Sequence, residues 1–221
     1  MSATARAVRL HGLARSVYTR MARLALEEKG VPYTLHEVEI FGSQGVPAEH
    51  WSRHPFGRIP AFEHGTFKLY ETSAITRYVD EAFEGPALQP HDAERRARMN
   101  QIIGLLDAYA YRPMVWGVTV ERMRAVADGE LRDEAKIAES LRSAARALDA
   151  LDGLVQDRGP HLLGADPTLA DLHAYPILSC FAFAPDGLAL LKTHAALWHW
   201  VQTMQQHPSV QRTRSVFDAV R

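Results

Sequence analysis

Along the first 85 residues the apolar positions change period several times. AVRL at 7–10 is a short extended apolar run. From Ser16 the spacing turns helical, with Val17, Met21, Leu24 and Ala25 on one face and Gly30 placed as a stop. TLHEVEI at 34–40 alternates with period two and predicts a strand, followed by a polar loop holding Gly42, Gly45 and Pro47. AFEHGTFKL at 61–69 predicts two short strands joined at His64-Gly65. Thr72, a favoured N-cap, then opens a helix through Ile75, Tyr78, Val79 and Phe83. The order β-α-β, an irregular segment, then β-β-α predicts a small mixed sheet covered by helices.

EGPALQPHD at 84–92 holds two prolines and a glycine and is the natural break. Beyond it the pattern is almost wholly helical. Ala138, Leu141, Ala145, Leu148 and Val155 are spaced as one apolar stripe, and Leu197, Trp200, Val201 and Met204 as another. Pro113 and Pro176 interrupt helical patterns and predict kinks or breaks. The expected organisation is an α/β domain over 1–84, a linker over 85–92 and an all-α bundle over 93–221.

Composition narrows the function. The 221 residues carry 25 Lys+Arg against 26 Asp+Glu, a formal charge of −1, so no basic field favours nucleic acid. No run approaches the ~20 apolar residues of a membrane span, and the N-terminus lacks the apolar core of a signal peptide. The single cysteine, Cys180, excludes an internal disulfide and lies in an apolar segment as a small hydrophobe. A cytoplasmic protein is the expectation. The histidines show no paired spacing for a metal, and no nucleotide-binding loop is present.

Three places can carry chemistry. Ser16 opens the first helix in GLARSVYTR. Capping alone explains a serine there, but a hydroxyl at a helix N-terminus also stabilises a thiolate. Arg15 and Tyr18 are its neighbours and rivals. Ile59-Pro60 precedes a short strand. It is either a simple strand start or a cis bond that turns the Ile59 backbone outward to pair with an extended ligand. Glu71-Thr72 stands at a strand-to-helix junction, where the first-turn N–H groups suit a carboxylate and Glu71 suits an ammonium.

Taken in order, GLARSVYTRMARLALEEKGVPY, HPFGRIPAF and YETSAITRYVDE resemble the cytosolic glutathione transferases, nearest the phi-like and related serine-type classes. The resemblance covers nearly the whole chain. It implies a thioredoxin-like N-terminal domain, an α-helical C-terminal domain, glutathione as co-substrate and a homodimer. Ser16 would activate the glutathione thiolate, and Ile59, with Pro60 in cis, would pair with the cysteinyl unit. Glu71 and Thr72 would hold the γ-glutamyl end. The apolar electrophile would lie between the domains, against Leu13, Tyr109, Arg112, Pro113 and Trp116. Isomerisation, dehalogenation, peroxide reduction or a non-enzymatic binding role are the alternatives on the same fold.

Two departures stand out. Thr72 and Ser73 follow the glutamate where the family commonly has serine and then a basic residue. The loop FGSQGVPAEH at 41–50 has no Lys or Arg for the glycyl carboxylate, leaving Gln44, Arg58 and His54 as candidates. DPTLADLHAYP at 166–176 resembles the family's capping box, with Thr168 and Asp171 three apart at a helix start. Arg112 lies amid aromatics in DAYAYRPMVW, a setting that favours an anionic partner.

Overall fold

The computed structural model describes residues 6–127, 132–155 and 159–218. They form two compact units, the first ending at Ala87 and the second beginning at Leu88.

The first unit is a four-stranded sheet in the order β2-β1-β3-β4, built from β1 (Val8–His11), β2 (Thr34–His36), β3 (Ala61–His64) and β4 (Phe67–Tyr70). β1 and β2 run parallel, linked through helix α1 (Val17–Glu28), and the other pairs are antiparallel. Leu10, Phe62 and Leu69 stand in one cross-strand row. Leu10 and Phe62 are fully buried with Met21 and Leu24 of α1 and Ile75 and Val79 of helix α2 (Thr72–Ala82). The β3–β4 turn needs Gly65 because its φ of +62° suits a residue without Cβ.

The predicted strand over 34–40 is cut to three residues. β1 ends at His11, so no neighbouring strand continues the ladder beyond His36. The alternation survives as burial: Val38 packs with Leu13 and Ile59, while Glu37 and Glu39 bond the backbone N–H groups of Ala14 and Phe41.

The second unit is helical. α3 (Ala93–Leu105) continues through wider π turns over Leu106–Ala110 and Arg112–Val120 into α4 (Glu121–Ala127). Of the kink or break expected at Pro113, the break does not occur. Proline has no N–H to give an i−4 carbonyl, and the backbone answers by widening its winding rather than stopping. Pro176 likewise sits inside the unbroken α6 (Leu169–Phe183). On α5 (Glu134–Asp152) the buried face is Ile137, Ala144, Ala147, Leu148 and Leu151; of the predicted stripe Leu148 is buried and Leu141 and Ala145 are half-buried. Ala138 is exposed and Val155 lies beyond the helix end. Alanines on both faces of this helix blur its apolar period. α7 (Pro185–Lys192), α8 (Ala195–Gln205) and α9 (Pro208–Arg212) complete the unit.

Among the described residues no helix is long and apolar enough to cross a membrane, and no group of three or more His, Cys, Asp or Glu is placed to hold a metal ion. Cys180 is fully buried, and burial pushes its thiol up to about 12 against a weaker opposing hydrogen bond from Thr119.

Candidate functional site

Ser16 is the N-cap of α1, with extended backbone angles and its Oγ accepting from Thr19 N at 3.4 Å. A cap uses the lone pairs of the hydroxyl, so its proton remains available to donate to an anion. Arg15, the cationic rival, is paired with Glu39 at 2.7 Å. Tyr18 stands one position inside the helix.

The loop before Ser16 is anchored to the proline segment. Leu13, Val38 and Ile59 form one buried cluster, with Ile40 against it. Ile59-Pro60 is cis. Among the described residues no backbone–backbone hydrogen bond involves the N–H or C=O of Ile59. Its side chain is buried while its peptide groups stay unpaired beside β3, an open strand-pairing position. From behind, His50 Nε2 donates to the Arg58 carbonyl at 2.6 Å.

The strand-to-helix junction departs from expectation. Thr72 is not the N-cap but the first helical residue, and Glu71 occupies the cap with φ +69°. It is the one non-glycine residue with positive φ among those described. A glutamate held there costs on the order of 1–3 kcal/mol, and such strain concentrates at functional positions. Glu71 makes no side-chain cap bond. Its carbonyl accepts from Ala74 and Ile75, so Thr72 N–H and Ser73 N–H are left without acceptors among the described residues. The mispredicted cap has a local reason: threonine favours capping by type, but the tight turn from β4 places one residue earlier at the boundary.

His54 links these pieces. It is 3% exposed, its Nδ1 accepts from Phe56 N at 3.3 Å, and its ring lies 5.0 Å from that of Tyr70. Burial lowers its pKa, with Glu71 acting in the opposite direction and His50 and Arg58 reinforcing the drop. Glu71 and Arg58 therefore flank one imidazole. This role makes His54 part of the frame rather than an open contact, while Arg58 and Gln44 remain exposed. Sequence reasoning missed His50; two histidines four apart in AEHWSRH, before a proline segment, were its only trace.

In the helical unit Tyr109, Arg112, Pro113 and Trp116 line one cavity of about 970 Å³, closed on its other side by α5. Gly117 allows that approach, since a Cβ there would stand 2.1 Å from Ser140 Oγ. Trp116 is fixed by donation from Nε1 to the Tyr111 hydroxyl at 2.9 Å. Leu13 is not part of this cavity; it is 4% exposed in the first unit.

The comparisons with known proteins converge on one family. Residues 10–87 match the model of the glutathione S-transferase N-terminal domain, and 134–203 that of the glutathione S-transferase C-terminal domain. The chain belongs to the glutathione S-transferase family. Among curated members it is 29% identical to glutathione S-transferase F10 of Arabidopsis thaliana, over 81% of this chain and 85% of that one. It is 28% identical to glutathione S-transferase 4 of Zea mays, over 93% and 91%. Among solved structures, glutathione transferase F7 from Populus trichocarpa superposes with a TM-score of 0.81 at 22% identity, covering 93% of this chain and 97% of its own. A glutathione S-transferase I from maize, in complex with an atrazine glutathione conjugate, superposes with a TM-score of 0.79 at 23% identity, covering 94% and 96%. These likenesses show the thioredoxin-like plus helical fold.

Proposed function

We propose that the chain is a glutathione transferase that adds the glutathione thiolate to an electrophile. The observation that carries this reading is the open backbone of the first unit: Ile59 unpaired beside β3 and the α2 N-terminus uncapped behind a strained Glu71. A tripeptide with a γ-glutamyl end satisfies these groups. Its cysteinyl peptide pairs with Ile59, its γ-glutamyl carboxylate takes the Thr72 and Ser73 N–H groups, and its ammonium meets Glu71. Arg58, exposed on the same segment, is the cation for the glycyl carboxylate.

Ser16 then donates a hydrogen bond from its hydroxyl to the sulfur. With the α1 N-terminus it favours the anion, and a pKa drop of about two units corresponds to roughly 2.7 kcal/mol. The thiol proton goes to solvent, the thiolate attacks the electrophile, and the leaving group departs with its electron pair. Tyr109, Arg112, Pro113 and Trp116, which line one cavity of the helical unit, are the residues proposed for the electrophile. The maize relative solved with an atrazine glutathione conjugate supports conjugation as the reaction class.

The assembly proposed is a homodimer, supported by aromatic rings left in solvent on the first unit: Phe56 is 67% exposed, Tyr70, with its ring 6.4 Å from that of Phe56, is exposed too, and so is Trp51. The compartment proposed is the cytoplasm, in keeping with one buried, unpaired cysteine. Calorimetric titration with glutathione tests the central reading. Saturable binding at millimolar concentration or below is expected, and heat indistinguishable from dilution would move the chain to a non-enzymatic role.

A further inference from the structure

The ring of His50 makes a single hydrogen bond. The residue stands in the short helical turn Ala48–Ser52, fully buried, with Nε2 donating to the Arg58 carbonyl at 2.6 Å and Nδ1 without a partner. A buried polar atom left unpaired costs free energy, and an apolar ring would fill the same space without that cost. The histidine is therefore explained by what its one bond does.

That bond falls on a particular peptide. The Arg58 carbonyl and the Ile59 N–H belong to one planar trans unit, in which the oxygen and the hydrogen point to opposite sides. Holding the oxygen from the buried side sets the direction of the N–H, which has no acceptor among the described residues. A donor on the carbonyl also polarises the amide and strengthens the N–H as a donor. The holder is itself fixed. His50 N donates to the Pro47 carbonyl, and the His50 carbonyl accepts from Arg53 N and His54 N, each at 2.9 Å. Gly57 N donates to the His54 carbonyl at 2.9 Å, and Trp51 fills the space where a Cβ on Gly57 would stand, 2.8 Å from its ring. The chain from 50 to 58 thus folds back on the His50 ring.

We infer that His50 is a positioning residue for the tripeptide: through the Arg58 carbonyl it aims and polarises the Ile59 N–H that donates to the cysteinyl carbonyl. It touches no ligand atom. The inference rests on the proposed function, which pairs Ile59 with the cysteinyl peptide. Such a contact is the same before and during the reaction, so its loss acts on binding and not on the chemical step.

Titration calorimetry and steady-state kinetics on the full chain test this, with chlorodinitrobenzene as the second substrate. His50→Phe keeps a ring and removes the donor. It should raise Kd and KM for glutathione about tenfold, the scale of one hydrogen bond, while kcat stays within about twofold and KM for chlorodinitrobenzene is unmoved. His50→Gln returns an amide N–H near the place of Nε2 and should recover most of the affinity. His50→Asn, one bond shorter, should not. Arg53→Met loosens the same segment by removing an ion pair to Glu63 at 3.5 Å without touching the Arg58 carbonyl. It should lower the melting temperature and leave KM for glutathione within about twofold. In an Arg58→Met background the effect of His50→Phe should persist, because it runs through the amide and not through the Arg58 side chain. A glutathione affinity in His50→Phe within about twofold of wild type overturns the inference, as does a loss that Arg53→Met matches or that Arg58→Met abolishes. If His50→Phe does not fold, the other pair decides: glutathione affinity higher in His50→Gln than in His50→Asn supports the inference, and equal affinity overturns it. A wild type that binds no glutathione overturns the proposed function as well, whereas wild-type binding indifferent to His50 overturns this inference alone.

Discussion

Two helix N-termini in this chain solve the same problem in opposite ways. At α6 the protein fills the start itself: Leu169 N donates to the Leu88 carbonyl, and Asp171, fully buried, accepts from Leu162 N at 2.8 Å, Thr168 N at 2.8 Å, the Thr168 hydroxyl at 3.0 Å and Trp200 Nε1 at 2.9 Å. At α2 the first turn is left open: the cap residue is strained and makes no side-chain cap bond, and among the described residues two N–H groups, of Thr72 and Ser73, have no acceptor. A helix start is a ready anion site unless the protein fills it itself. One start has been spent on folding, and the other is kept for a ligand.

The sealed end gives the largest expected effect. Asp171→Ala orphans three buried donors, Leu162 N, Thr168 N and Trp200 Nε1, at about 1–3 kcal/mol each. A loss of about 3 kcal/mol or more is expected, a drop in melting temperature on the order of 10 °C by calorimetry. If the melt moves by less than about 2 °C, the box is ornament and the comparison collapses.

Next comes Ser16, a cap whose bond is long and whose hydroxyl proton is free. Ser16→Ala should cut conjugation by about 100-fold, the ~2.7 kcal/mol of a two-unit thiol shift, and cost no more than about 1 kcal/mol in stability. The pH profile of kcat/KM distinguishes this from misfolding, because its acidic limb should move up by about two units. A variant that conjugates at the wild-type rate gives the thiolate to another group, with Tyr18 the first to replace.

This contrast was only partly legible in the chain. The sealed end was readable, because Thr168 and Asp171 three apart before an apolar run is a local pattern with one meaning. So were β1, α1 and the β3–β4 hairpin, whose periods and turn residues agree. The open end was readable in its residues but not in its geometry. Threonine favours the cap by type, whereas the turn out of β4 sets Glu71 there, and backbone strain leaves no mark in composition. His50 and His54 work through a backbone carbonyl and a backbone N–H, contacts that sequence spacing does not encode. The length of β2 and the buried face of α5 depended on which neighbours those elements met, not on their own pattern.

Glu71 allows the comparison to be inverted. Glu71→Gly removes the penalty of φ +69° and should stabilise the chain by up to about 1 kcal/mol, while glutathione affinity falls about tenfold or more by titration calorimetry. Glu71→Ala keeps the strain, so it should lose affinity with no gain in stability. The two variants together separate the cost of the backbone from the work of the carboxylate. Tighter glutathione binding in Glu71→Gly would mean that the strain opposes the ligand rather than presenting the site to it.

The smallest effect is a pH dependence at the open end. Burial holds the His54 pKa below its ordinary value, and so, with the Arg53 charge also lowering it and Glu63 opposing, is the pKa of His11 on β1. For a histidine shifted down, the unfolded chain binds the proton first. Stability is therefore full above about pH 6.5 and falls as the pH drops through that value toward the folded pKa. His54→Asn keeps an acceptor for Phe56 N–H but cannot titrate. Melting curves from pH 7.5 to about 5.5 should show the wild type losing stability on acidification and His54→Asn losing less of it. Glu71→Gln should act the other way, since removing the carboxylate that favours the charged imidazole steepens the loss. If Glu71→Gln instead flattens the wild-type curve, Glu71 and His54 are not coupled, and the open helix end is less tied to its histidine frame than their arrangement implies.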